Sequence, residues 1–283
     1  MLLKIVQDGG MKLFIKAVIA LALSCSIPAM ALAEESGKEG KNDWDVSLGL
    51  GLAAAPAYEG STHYLASPIP VVAITWRDTV SLGINGLSLY HKSGGVRYGV
   101  GLTYDPGRKE NGKNLLGMSS GDHRLAGLGD IKPAAGLKAF ASYDVHPFQH
   151  IPLIVLDASV IKLIGGSTND GVLVQGDISM PFQLGQNWRL TPKVATTWAN
   201  DHYMQDYFGV TPEQATRSQF SAYKAKAGMK DAGIGLNVTY SIDKNWFVSG
   251  DGRVKRLLSD AASSPIAATN INASIVALVG YHF

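Results

Sequence analysis

The chain has a single cysteine, Cys25, in 283 residues. That excludes a disulfide framework and any site built from several thiolates, whether zinc or iron–sulfur. Charge is also scarce: 17% of residues are charged, against ~25% in an ordinary soluble domain. No basic surplus is present to hold a phosphate backbone, so a nucleic-acid partner is excluded. Beyond residue 33 no apolar run is long and unbroken enough for a spanning helix. The segment Gly60 to Trp76 is interrupted by Pro68 and Pro70, and Ala261 to Phe283 by Pro265, Asn270 and Asn272. No Walker or dinucleotide fingerprint occurs, and the glycines of GLGLAAAP and GVGLTYDPG sit in alternating, strand-like stretches.

What is present begins with a targeting segment. Lys12 and Lys16 precede the uncharged run Ala17 to Ala33, which ends in Ala31-Leu32-Ala33 before Glu34-Glu35. This is the charged, apolar and small-residue order of a secretory signal peptide over residues 1–33, with Met11 as an alternative start. Its removal takes Lys4, Lys12, Lys16 and Asp8 from the 25 basic and 23 acidic residues, leaving 22 of each and no cysteine. A short polar tether, 34–43, then leads into one domain expected over 44–283.

That domain is written in period two. Apolar residues alternate with small or polar ones from Trp44 to Leu52, Val96 to Tyr104, Val172 to Met180, Ala232 to Ile242 and Ile271 to Phe283. Both a sandwich and a membrane barrel give such a pattern. Strand-like segments of about 9–13 residues match a tilted bilayer crossing better than the usual five or six. The opposite face carries Gly, Ser, Thr, Asn and charge, as a wet lumen would. Trp188 and Trp198 share a face ten residues apart, roughly 25 Å along the barrel axis at ~3.3 Å per residue and a tilt near 40°. The expected fold is all-β: a transmembrane antiparallel up-and-down β-barrel of about 12 strands, with ten as the alternative.

Loop lengths set its orientation. Tight links at Ser241 to Asn245, Phe182 to Asn187 and Asp144 to His150 fall on one side, expected to be periplasmic. The segments Pro106 to Ile131, Gly165 to Asp170, Ala199 to Lys230 and Leu258 to Thr269 fall outside. Twelve crossings require five between Trp44 and Tyr104, with turns at Arg77-Asp78, Asn85-Gly86 and Ser93 to Gly95. Lumen candidates are Arg97, Lys138, Asp157, Lys162, Asp177, Arg189, Lys193 and Arg253. This architecture and the signal peptide imply the outer membrane of a Gram-negative cell, with membrane lipid as a partner.

Chemistry-bearing motifs are few. His202 sits among Asp201, Tyr203, Asp206 and Ser218, without a nucleophile elbow or a standard metal spacing. Neither catalytic residues nor a metal or cofactor are expected. A candidate ligand or partner loop combines Tyr58 and Glu59 with Asp201, His202, Tyr203, Asp206, Tyr207 and Phe208. Its aromatics, together with Phe220 and Tyr223, either contact a ligand or pack the loop onto the barrel mouth. At the other end Ile275, Ala277, Val279, Tyr281 and Phe283 form an alternating apolar set closing on an aromatic residue, a candidate signal for the barrel assembly machinery.

Several loop segments then carry a resemblance. They are Ala57-Tyr58-Glu59-Gly60-Ser61 followed by Pro68-Ile69-Pro70, Tyr104-Asp105-Pro106-Gly107-Arg108, and Gly127-Leu128-Gly129-Asp130. Most specific is the run from Trp198 through Asn200-Asp201-His202-Tyr203 to Gly209-Val210-Thr211-Pro212, continued by Gly228-Met229-Lys230-Asp231 and Asp260 to Ile266. Together they resemble the MipA/OmpV family of outer-membrane proteins, the MltA-interacting proteins. The resemblance implies a non-enzymatic barrel, similar to a scaffold joining a periplasmic lytic transglycosylase to a peptidoglycan synthase. It also leaves room for porin-like, antigen or adhesin roles.

Overall fold

The computed structural model describes residues 43–111, 121–146 and 152–283. The expected signal peptide and all of the tether except Asp43 lie outside the described residues, as does His150. The chain forms thirteen strands among the described residues: β1 (Trp44–Pro56), β2 (Tyr64–Trp76), β3 (Val80–Gly83), β4 (Gly86–Ser93), β5 (Val96–Asp105), β6 (Ala134–Val145), β7 (Ile154–Ile164), β8 (Val172–Ser179), β9 (Phe182–Leu184), β10 (Trp188–Ala199), β11 (Gly228–Ser241), β12 (Trp246–Leu257) and β13 (Ile271–His282). Sequence neighbours pair antiparallel, except that β8 and β9 both pair with β10, and β13 returns to β1 from Ser47↔His282 to Ala54↔Ile275, closing the barrel.

Twelve strands make the wall, and β9 is the extra one. It continues β8 along β10 without a change of register, since Ser179 faces Lys193 and Phe182 faces Leu190. Pro181 lacks an N–H and interrupts the ladder, while the Met180 amide still donates to the Pro192 carbonyl at 3.0 Å. The link expected from Phe182 to Asn187 is therefore shorter, with strand structure running on to Leu184.

Five strands do lie between Trp44 and Asp105, joined by the expected turns. Gly94 and Gly95 both adopt left-handed backbone, φ 57° and 79°, which a two-residue hairpin between right-twisted strands requires. At the neighbouring turn Arg77 and Asp78 take the same conformation, φ 50° and 51°. An Arg77–Asp43 ion pair at 2.8 Å accompanies it.

Side chains sort by parity. Leu50 is 66% exposed on the outer face while Ser47 is 3% exposed on the inner one. Leu52, Val100, Leu102, Val194, Ile234, Val254 and Ile275 continue the outward apolar belt. At the tight-turn end the belt is rimmed by aromatic pairs: Trp44–Trp76 at 6.2 Å, Trp188–Tyr240 at 4.7 Å and Trp246–Tyr281 at 5.1 Å. Tyr64 and Tyr104 stand exposed at the loop end, and Trp198 faces outward there beside Val174. This is the double girdle of a membrane barrel.

Among the described residues the wall is low above β3 and β4. β2 pairs with β3 only from Ile74↔Leu82 to Trp76↔Val80, and β4 pairs with β5 no higher than Leu87↔Leu102. Among the described residues, β2 from Tyr64 to Ala73 therefore has no strand on that side.

An outward charge tests the lipid assignment. Leu50→Arg is expected to lower the unfolding free energy in phospholipid vesicles by about 2–4 kcal/mol, measured by denaturant titration. A loss under about 0.5 kcal/mol would place that face in water.

Candidate functional site

The long loops close the mouth. The 200–227 segment, expected as plain loop, contains α1 (Asp201–Phe208) and α2 (Pro212–Arg217), and a third short helix, α3 (Ser259–Ala262), lies between β12 and β13. Local capping explains the first two. The Asn200 side chain accepts from the Tyr203 amide at 3.1 Å and also from the Val172 amide at 2.9 Å, tying the start of α1 to β8. Thr211 and Gln214 form a reciprocal capping box with Pro212 in the first turn of α2.

The inner face of α1 then fills the barrel mouth. Tyr203, Met204 and Phe208 are buried against Ile161, Leu163, Leu173, Ala199, Leu257 and Ala261. A second apolar layer joins Tyr58, Leu125, Leu128, Val210, Phe220 and Ile266. The Tyr58 hydroxyl donates to the Ile266 carbonyl at 3.1 Å, and the Ser264 hydroxyl to the Phe208 carbonyl at 2.6 Å.

Against the first layer, with Lys230 Nζ over the Tyr203 ring at 5.8 Å, lies a buried ionic cluster. Lys230 Nζ sits 2.7 Å from both Glu59 carboxylate oxygens and 2.7 Å from Asp231 Oδ2. Lys255 also contacts Glu59, and lies 3.5 Å from Asp231. Two adjacent charges can point inward because β11 bulges here. Thr197 faces Asp231 and Trp198 faces Met229, so Lys230 has no opposite residue on β10. Glu59 arrives from the β1–β2 loop, set by Gly60, which needs φ +95° and whose amide donates to Asn272 Oδ1 at 2.6 Å. Burial works to raise the Glu59 carboxyl, but Lys230 and then Lys255 outweigh it and hold it well below the usual carboxylate range.

Tyr203 and Tyr207 stack at 4.5 Å, and the Tyr207 hydroxyl donates to Asp105. Burial pushes the Tyr207 phenol far up, so it remains a donor. Arg108, 5% exposed, donates to the Tyr207 carbonyl at 2.6 Å. Burial lowers its guanidinium from the ordinary value.

The residues expected to act together separate into two groups. Tyr58, Glu59, Tyr203, Tyr207 and Phe208 are packed into the plug, whereas Asp201 and His202 stay exposed on its outer surface, 3.6 Å apart. Asp206 stands half-buried between them, its carboxyl raised by burial to about 6 against the pull of His202 and Arg108. Ser218 Oγ accepts from the Phe220 amide at 3.3 Å. No group of three metal-ligating side chains occurs among the described residues. Sequence reasoning missed Asp105, Arg108, Lys230, Asp231 and Lys255 as working residues. The adjacent Lys230-Asp231 pair inside an alternating strand was the available signal of a bulge.

Beneath the plug the lumen has two unlike walls. On one, Arg97 reaches Ser142 at 3.3 Å, Ser142 bonds Asp157, Lys193 meets Asp177 at 2.9 Å and Arg253 meets Asp251 at 2.8 Å. Lys138 lies over the Phe140 ring at 5.4 Å, while Lys162 is at the mouth, bonded to Asp170 at 2.5 Å. The other wall is apolar: Ala53, Ile69, Val71, Val276 and Leu278, packed by Ile84 and Phe247. Ile275, Ala277, Val279 and Phe283 are exposed on the outer side with Tyr281, whose ring meets Phe283 at 4.7 Å.

Several known proteins are similar to this chain. The family model described as MltA-interacting protein MipA matches residues 48–283. Outer membrane protein OmpV of Vibrio cholerae is 33% identical over 94 residues, and outer membrane protein Omp26La of Vibrio anguillarum 32% over 94 residues. Each match covers 33% of this chain and 36% of the relative, so the chain spans about a third of the length of these relatives. Among solved structures, the translocator domain of the autotransporter NalP from Neisseria meningitidis aligns over 97% of this chain and 96% of its own, at 10% identity and a TM-score of 0.38.

The two carboxyls give opposite pH responses. Glu59, depressed in the folded state, contributes stability that is present above the unfolded carboxylate value near ~4.3 and is lost only as pH falls through its lower folded value. The plug should therefore stay protected at pH 4. Glu59→Gln leaves two ammonium groups with only Asp231, and should cost on the order of 3 kcal/mol, read as faster hydrogen exchange over 200–227. Asp206, raised to about 6, loses stability as pH climbs from about 4 to about 6. Asp206→Asn should raise the melting temperature at pH 7.5 and leave it little changed at pH 4. An equal gain at both values would contradict the raised carboxyl.

Proposed function

Taking as premise that the chain belongs to the MltA-interacting protein MipA family, we propose that this outer-membrane barrel is a non-enzymatic anchor for peptidoglycan enzymes. It would link a murein lytic transglycosylase to a peptidoglycan synthase on its periplasmic side. The observation that carries the reading is the closed mouth: two apolar layers and the Glu59–Lys230–Asp231–Lys255 cluster occupy the space an open pore would need. The family description supplies the partner class, since it names an interaction with MltA. Docking would use the tight-turn rim, where Arg77, Asp78, Lys92 and Lys244 are presented, rather than the 199–230 loop, whose apolar side is spent inside the mouth. The outward set Ile275, Ala277, Val279, Tyr281 and Phe283 would serve the barrel assembly machinery during insertion.

A second reading, a small-solute channel, is favoured by the charged lumen wall of Arg97, Lys138, Asp157, Asp177, Lys193 and Arg253. It requires the plug to withdraw. A surface role as adhesin or antigen would use the exposed Asp201 and His202.

Single-channel recording in a planar bilayer separates these. The anchor reading expects a silent barrel that still shows the heat-dependent mobility shift of a folded barrel. It also expects crosslinks from photoreactive residues at Asp78 and Lys244 to a periplasmic transglycosylase. Reproducible conductance steps in the wild type, with no periplasmic crosslink, would overturn it in favour of the channel.

A further inference from the structure

We propose that the outward face of β12, at its loop end, holds a phosphate-bearing lipid of the adjoining leaflet, with the phosphate on Arg256 and an acyl chain below it. Charge is nearly absent from the lipid face. Along the described strands the outward positions carry no Asp or Glu, and Lys or Arg only at Lys162 and Arg256. Lys162 is neutralised, since Asp170 lies 2.5 Å from its ammonium. The Arg256 guanidinium is exposed and has no hydrogen bond or ion pair among the described residues.

Register fixes which way Arg256 points. It stands opposite Ala232 of β11 and Ile271 of β13, on the face that Val254, Ile234 and Ile275 expose to hydrocarbon. Ala232 pairs in turn with Thr196, one outward position short of Trp198 in the loop-side girdle. A charge facing lipid is tolerated near the headgroups and grows costly below them, so an unpaired arginine at this position calls for an anion. Its planar fork takes a phosphate through two parallel hydrogen bonds. The acid next along the chain does not serve: Asp260 accepts from the Lys226 amide at 2.8 Å and makes no ion pair with Arg256. That bond also holds Lys226, exposed, just before β11, which adds a second cation to the same edge of the barrel.

Below Val254 the lipid face of β12 is low. Gly252 lies opposite Leu236 and Ile275, and Gly250 opposite Val238 and Ala277. A Cβ added at Gly252 would meet nothing within 4 Å, and one at Gly250 only the Val276 carbonyl oxygen at 3.9 Å. Neither glycine has left-handed backbone. Glycine weakens a strand, and here neither a turn nor a close backbone approach within the protein demands it. What the two glycines provide is room on the outer surface between the exposed Leu236 and Ile275. An unpaired cation at the head of an apolar trough fits an anionic lipid better than a free anion, which would not use the trough, or an uncharged lipid, which would not use the arginine. The inference rests on the membrane placement of β12 and is independent of any periplasmic partner.

The probe is diphosphoryl lipid A, titrated into the purified barrel in detergent and read by native mass spectrometry. The wild type is expected to retain a single copy, and Arg256→Gln to weaken retention about five-fold, while Lys162→Gln leaves it unchanged. Equal retention by the wild type and Arg256→Gln would overturn the site, and so would an equal loss in Lys162→Gln, which would make the effect one of general surface charge. Lipid A stripped of both phosphates should bind the wild type no better than intact lipid A binds Arg256→Gln; undiminished binding overturns the phosphate contact. Millimolar inorganic phosphate should not displace the lipid, and displacement would assign the arginine to a free anion instead. Gly252→Leu, in a barrel that keeps its heat-dependent mobility, should weaken retention about four-fold by filling the trough, and an unchanged value overturns the acyl contact. Should that variant fail to fold, deacylated lipid A decides the same point, since binding as tight as that of the intact lipid would show that the chain contributes nothing.

Discussion

A backbone amide or carbonyl left unpaired in hydrocarbon costs several kcal/mol, and every large feature of this molecule follows from avoiding that cost. The first and last strands meet, Ser47 opposite His282, because an open sheet would leave two edges facing lipid. With the ladder closed, side-chain parity does the rest. One residue in two faces hydrocarbon and must be apolar, as Leu48, Leu50 and Leu52 are; the other faces the lumen and is released from that demand. Charge can then accumulate inside a chain that has little of it, and it concentrates on β5 to β8, β10 and β12.

The same constraint explains why the plug is built from side chains and short helices. A loop entering the mouth brings its own polar backbone, and α1 satisfies most of it internally while Asn200 settles its first turn against β8. What remains is charge. Glu59, Lys230, Asp231 and Lys255 come from three separate places in the chain and neutralise one another where water is excluded, so no single member is dispensable. Such clusters add little net stability compared with apolar packing, but they fix position. Here the bulge in β11 and the left-handed Gly60 both exist to deliver charges to one spot.

Legibility in the sequence follows the range of each interaction. Period two is a local signal, so the strands were readable, including the short β3 and β4, whose turns carry Asn-Gly and Gly-Gly signatures. The helices were not, since eight and six residues hold too little periodicity and their caps, Asn200 and Thr211, resemble ordinary loop residues. The ionic cluster was least readable, because Glu59 lies 171 residues from Lys230 and 196 from Lys255. Asp201 and His202, adjacent in sequence and chemical in type, face solvent instead. Family-like segments did point to the right stretches: Glu59, Arg108, Lys230 and Asp231 all fall within them, although only Glu59 was singled out.

Among the described residues, β2 above β3 and β4 lacks a strand partner on one side, and the sequence marks it. A barrel of twelve strands could have carried full-length β3 and β4, at the cost of a few more alternating residues. Instead β2 carries two prolines that cannot donate, the hairpin stops at Ile84-Asn85, and the loops above are tied across by Ser61 and Asp122. Truncation alone would expose a raw strand edge; prolines that need no partner and an apolar inner face packed by Ile84 and Phe247 reduce what that edge leaves unsatisfied.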